Sequence, residues 1–133
     1  MSGQYRSTTN GIEVSVEPFF LDDESDPEKS YYVWAYMIEI RNGGTETIQL
    51  RTRYWKIMDG LGRIEEVHGA GVLGEEPKIK PGETFEYSSG CPLTTDSGFM
   101  QGRYKMERKD GSTFDVEIPA FSLDLPDEIR SLN

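Results

Sequence analysis

The sequence predicts an all-β protein, an antiparallel sandwich of about seven strands. Three observations carry that expectation. Apolar and polar residues alternate with period two through most of the chain, as half-buried strands require. Clusters of Gly, Asn, Asp and Pro interrupt the alternation roughly every ten residues, the turn spacing of a sandwich. No segment sustains the three-and-four apolar spacing of a helix.

Taken in order, residues 1–10 read as a flexible start. Ile12, Val14 and Val16 then alternate with Glu13, Ser15 and Glu17 in a strand that Pro18 weakens. Leu21 to Lys29 reads as an acidic loop. Tyr31 to Arg41 is the strongest strand: Tyr32, Trp34, Tyr36, Ile38 and Ile40 share one face, and Tyr31, Val33, Ala35 and Met37 share the other. Apolar residues on both faces predict a central strand whose second face is covered by a loop, a tail or another chain. After the Asn42-Gly43-Gly44-Thr45 turn, Ile48, Leu50 and Tyr54 lie on one face, and Trp55 and Ile57 take the opposite parity. Such a phase slip predicts a β-bulge, because one extra residue reverses every later side chain.

Asp59-Gly60-Leu61-Gly62 turns the chain into a short strand over 63–67, and Pro81-Gly82 marks another turn before Phe85, Tyr87 and Ser89. Met100, Gly102, Tyr104 and Met106 alternate with polar residues. Lys109-Asp110-Gly111-Ser112 is then a hairpin turn leading to Phe114, Val116 and Ile118, and Pro119 stops that strand. The segment 120–133 is an ending with apolar anchors at Phe121, Leu123, Leu125 and Ile129, and its residues 124–133 read as a C-terminal tail. The pattern fits the immunoglobulin or fibronectin type III style of sandwich, and Tyr104 is a candidate tyrosine-corner residue.

Composition bounds the function. The 133 residues suit one domain, and a net charge of −10 disfavours binding to nucleic acid, whose affinity rests on Lys and Arg. No run approaches the roughly 18 apolar residues of a membrane span, and no signal peptide is evident. Cys91 is the only cysteine, so no internal disulfide is possible, and the expected compartment is the cytoplasm.

Gly69-Ala70-Gly71-Val72-Leu73-Gly74 spells GxGxxG. In a dinucleotide site the third glycine opens a helix whose amides meet a pyrophosphate. Here Pro77 and Pro81 follow at once and forbid a helix interior. The loop therefore reads either as a tight turn that needs glycine, as an anion-binding nest flanked by Arg63, His68, Lys78 and Lys80, or as a protein contact. Glu75 and Glu76 oppose an anion there. His68 and Cys91 are the only residues that could form a base–thiol pair, and no orienting third group is evident. The chain has too few Cys and His for structural zinc, and the acidic run 22–28 lacks the spacing of a calcium loop, so neither metal nor cofactor is expected. No set of nucleophile, base and orienter is present, and the expectation is a non-enzymatic module. The apolar second face at Tyr31, Val33 and Met37 is either an interface or is covered internally by 121–132.

The run Arg53-x-Trp55-x-Ile57-x-Asp59, followed by Val67-x-Gly69-x-Gly71-Val72-x-Gly74-x-x-Pro77, resembles the ApaG proteins of bacteria. So do Pro81-Gly82-x-x-Phe85-x-Tyr87-x-Ser89-Gly90, Gly98-x-Met100-x-Gly102-x-Tyr104 and Ile118-Pro119-x-Phe121. The resemblance covers nearly the whole chain. It implies a fibronectin type III-like sandwich, a link to cobalt resistance and magnesium handling, and a protein-binding role like that inferred for the related domains of eukaryotic F-box proteins and of a polymerase-associated protein. It also implies a pyrophosphate role for Gly69, Gly71 and Gly74, against which Glu76 adds a negative charge. The leading expectation is a module that presents the sheet face and the 67–77 loop to a protein partner or to a second copy. The alternative is a small-anion or nucleotide binder using the glycine loop 69–74.

Overall fold

The computed structural model describes residues 5–126. Among them nine strands form, all paired antiparallel: β1 (Tyr5–Thr9), β2 (Ile12–Phe20), β3 (Tyr32–Asn42), β4 (Ile48–Asp59), β5 (Ile64–Ala70), β6 (Lys78–Ile79), β7 (Thr84–Leu93), β8 (Gly98–Arg108) and β9 (Thr113–Leu123). One sheet runs β1-β2-β3-β7, the other β5-β4-β8-β9, with the short β6 also on β4. The seven long strands β2–β5 and β7–β9 are those the alternation predicts, and the fold is the expected sandwich.

Both sheets bury their alternating faces against each other. Trp34, Tyr36, Ile38 and Ile40 of β3 meet Leu50 and Trp55 of β4 and Met100, Tyr104 and Met106 of β8 in one core cluster. Phe121 sits at the centre of its aromatic part. Its ring lies 5.9 Å from both Tyr36 of the first sheet and Trp55 of the second, and 6.1 Å from Tyr5. Trp34 Nε1–H donates to the Asp124 carbonyl at 2.9 Å, which fixes the chain just after β9.

Several local expectations change. The strand of Ile12 continues through Pro18 to Phe20, because Pro18 pairs with Tyr36 within the β2–β3 ladder. Pro119 does not stop β9 either. The β8–β9 register shifts between Met100 and Gly102, so the strand bulges around Pro119 and runs on to Leu123. Residues 5–9 of the expected flexible start form β1, which is tied to β9 by the Ser7 hydroxyl donating to the Glu117 carbonyl at 2.9 Å. The acidic loop folds into two single-turn 3-10 helices, Asp22–Glu24 and Pro27–Lys29. Ile129 lies outside the described residues.

The β4 slip is real and falls early. Leu50 pairs with Met106 and Thr52 with Lys105, leaving Arg51 as the extra residue. Arg53, Trp55 and Ile57 consequently face the core side, and Tyr54 points outward instead of joining Ile48 and Leu50.

Tyr104 is not a tyrosine corner. It lies in mid-strand, fully buried, and its hydroxyl meets that of Tyr87 in the opposite sheet at 2.5 Å. A second polar tie is buried Asn42 at the end of β3, whose Nδ2 donates to the carbonyls of Ile79 and Glu46, both at 2.9 Å.

Removing one hydroxyl of the tyrosine pair strands the other in the core. Tyr104→Phe should therefore cost about 1–3 kcal/mol, while Tyr87→Phe/Tyr104→Phe should recover much of that loss, since no orphan remains. Urea denaturation of the two singles and the double decides it; a double loss equal to the sum of the singles would refute the coupling. Burial, the largest cause, raises the pKa of Tyr36, Tyr87 and Tyr104. Unfolded tyrosines release protons near pH ~10 while these retain theirs, so the stabilisation is complete below that pH and declines above it. A urea midpoint that falls between pH ~9.5 and ~11.5, and falls less in the double variant, is the expected result.

Candidate functional site

Each glycine of the GxGxxG has a structural reason. Gly69 belongs to β5, opposite Arg53 of β4, rather than to the loop. A Cβ at Gly69 would lie 2.6–2.8 Å from the Arg53 guanidinium atoms, so the glycine makes room for that group. Gly71 has φ +60°, and a Cβ there would stand 2.0 Å from the Glu75 carbonyl oxygen. Val72 and Glu75 pair in a miniature hairpin, each amide donating to the other's carbonyl at 2.9 Å. The two residues between them, Leu73 and Gly74, both have positive φ, +49° and +79°, as a type I′ turn requires.

The loop is also anchored. Gly71 N–H donates to the Arg51 carbonyl at 2.8 Å, and Arg53 Nη1 donates to the carbonyls of Ala70 at 3.1 Å and Gly71 at 2.8 Å. Glu76 pairs with Arg51 at 3.0 Å. The amides of Gly71, Val72 and Glu75 are thus taken up within the protein, and the loop turns carbonyls, not amides, toward the nearest cation. Buried Val72 plugs the loop into the core, and Leu73 stands at its tip, 65% exposed.

His68 and Cys91 are not brought together. His68 lies exposed on the outer face of β5, its ring 4.8 Å from that of Tyr54, which Arg103 covers from 4.2 Å. Cys91 is buried on the inner face of β7, and burial, with Glu65 nearby, pushes its thiol up to about 11. A neutral thiol is a poor nucleophile. Among the described residues no group of three or more His, Cys, Asp and Glu is placed to hold a metal ion, and no helix is long and apolar enough to cross a membrane.

The second face of β3 divides. Val33 is buried beneath the acidic segment: its amide donates to Ser25 Oγ at 2.9 Å, and its carbonyl receives the Leu21 amide at 2.8 Å. Tyr31 and Met37 stay 46% and 42% exposed. The expected internal cover is not formed by the described part of 121–132, because Phe121, Leu123 and Leu125 enter the core between the sheets. The register adds Phe19, 45% exposed and directly opposite Ala35, with Gly90 and Ser88 beyond on β7. The sequence reading missed Phe19 because Pro18 broke its alternation. It also missed a second apolar row at one end of the outer face of the other sheet, where exposed Ile64 and Phe99 flank half-buried Met58.

Carboxylates rim the Phe19–Met37 face. Glu17 is paired with Met37, and Glu39 with Glu86, on one side; Asp22, Asp23 and Glu24 follow on the other. Arg41 in the next row is opposed by Glu13.

Comparisons with known proteins agree with this architecture. The model of the ApaG domain matches residues 22–108. Protein ApaG of Brucella anthropi is 61% identical over 129 residues, covering 97% of this chain and 99% of its own, and that of Brucella canis is 55% identical over the same span. The crystal structure of the putative ApaA protein from Bordetella pertussis superposes with a TM-score of 0.85 at 45% identity, covering 86% of this chain and 94% of that one. With sequence, length and fold in agreement, the chain belongs to the ApaG domain family.

Proposed function

We propose that this protein is a non-enzymatic, cytoplasmic binding module whose outer β2–β3–β7 face docks a partner segment bearing apolar and cationic side chains. The observation that carries this reading is the cross-strand set Phe19, Ala35 and Met37 with Tyr31, left open on the outer face of the sheet. Contiguous apolar surface on a sheet suits a partner. The chemistry of the partner follows from the rim: Glu17, Glu39, Glu86 and the 22–24 carboxylates attract Lys and Arg and repel acids. A second copy is disfavoured, since each molecule carries a net −10.

The small-anion reading of the glycine loop is weaker. Its amides at Gly71, Val72 and Glu75 are already committed, and Glu75 and Glu76 crowd the approach. Under the docking reading, the cobalt and magnesium association implied by the family resemblance belongs to the partner's pathway rather than to a metal held here.

The test is an amide NMR titration with designed peptides that alternate Lys with Leu or Phe. Shifts should cluster at Phe19, Ala35, Met37, Ser88 and Gly90, and Tyr31→Ser/Met37→Ser should weaken binding at least tenfold, about 1.4 kcal/mol. Shifts on the opposite sheet, or none, would overturn the reading, as would a solution mass that doubles in the absence of peptide.

A further inference from the structure

Arg53 is a cation placed between two sheets. The Arg51 bulge turns it to the inner face of β4, beside buried Trp55, and Gly69 leaves the space that its guanidinium fills. One nitrogen, Nη1, is used by the loop carbonyls. Among the described residues, Nε and Nη2 have no acceptor and no carboxylate lies within ion-pair distance. These donors are not buried without partners, so they reach solvent and are available to an acceptor that enters from it.

The free edge of Arg53 opens on a cleft of about 290 Å3 between β5 and β7, which are terminal strands of their respective sheets. Tyr36 and Ser89 stand on the far wall. Trp55, Ile57 and Met100 supply an apolar floor, and Glu65 stands at the other end. Glu65 pairs with Ile57 and Gly69 with Arg53, so the two charges are four residues apart along β4, about 13 Å of strand.

We propose that this cleft binds a carboxylate carried beside an apolar group, held by the Nε–Nη2 edge of Arg53. A guanidinium edge matches a carboxylate with two parallel N–H···O bonds, and Ser89 provides a further hydroxyl within the same walls. The apolar neighbour of the carboxylate rests on Trp55 and Ile57. Glu65 repels an anion from its own end and so fixes the orientation of the ligand. The site differs from the loop-amide reading in its donors and from the sheet-face docking reading in its surface, and it stands independently of both. Two sources carry this chemistry: a small apolar acid, or the C-terminal residue of a polypeptide.

Titrating the full-length protein with N-acetyl-leucine, followed by amide and arginine Nε NMR signals, tests the proposal. Saturable shifts are expected at Arg53 Nε and at the amides of Gly69, Ser89 and Gly90. N-acetyl-leucinamide, which lacks the carboxylate, should bind roughly tenfold or more weakly, and acetate, which lacks the apolar group, should also be weaker. Arg53→Lys keeps the charge but loses the paired edge and should lose the response. Because Arg53 also holds the loop, Val67→Phe, which narrows the cleft and leaves Arg53 in place, should lose it too. Tighter binding of a pentapeptide ending in free leucine assigns the site to a chain terminus, and equal binding assigns it to a small acid. No shift at millimolar N-acetyl-leucine, or equal binding of the acid and its amide, would overturn it.

Discussion

The extra residue at Arg51 decides how the second half of the molecule is arranged. Without it, β4 would keep the parity of Ile48 and Leu50, and Tyr54 would face the core while Arg53 and Trp55 faced solvent. With it, Trp55 enters the core, Tyr54 leaves, and a guanidinium comes to lie between the sheets. The bulge is held from both sides. Its carbonyl receives the Gly71 amide, its neighbour Leu50 donates to Pro77, and its side chain pairs with Glu76 and Glu107 at 3.0 and 3.6 Å. The glycine loop and the bulge therefore form one unit, and the loop's glycines serve the packing of Arg53 and the turn at Leu73.

The two open sides of the sandwich are treated differently. On one, β1 crosses from the first sheet to β9 of the second, with Ser7 and Thr9 hydroxyls bonding Glu117. Phe121 then fills the space between Tyr5, Tyr36 and Trp55. On the other, β5 and β7 do not pair, and the gap between them stays as a cleft with Arg53 at one end. The Tyr87–Tyr104 contact lies within the core and links the sheets through hydroxyls that burial keeps protonated. A closed side and an open side leave a recess between β5 and β7, at the end where Arg53 lies.

Charge follows the same division. The outer β2–β3–β7 face carries its apolar residues within a carboxylate border. The outer face of the other sheet mixes signs, with Arg103 and Lys105 both near Asp115 and Tyr54 bonded to Glu66 at 2.6 Å. The two outer faces thus differ in charge, one bordered by carboxylates and the other mixing both signs.

The sequence by itself determined the sandwich, its seven long strands, the Asp110-Gly111 hairpin and the presence of a slip in β4. Each depends on period-two burial or turn chemistry, which are local properties of the chain. It also carried the family through residue spacing, and it excluded a helix after the GxGxxG through Pro77. The tertiary structure alone decided the position of the slip, the continuation of β2 and β9 past their prolines, and the separation of His68 from Cys91. It alone decided that Val33 is covered while Phe19 is not, and that Arg53 faces inward. These depend on which strands become neighbours and in what register, and a residue's own sequence context does not encode the partner that will lie opposite it.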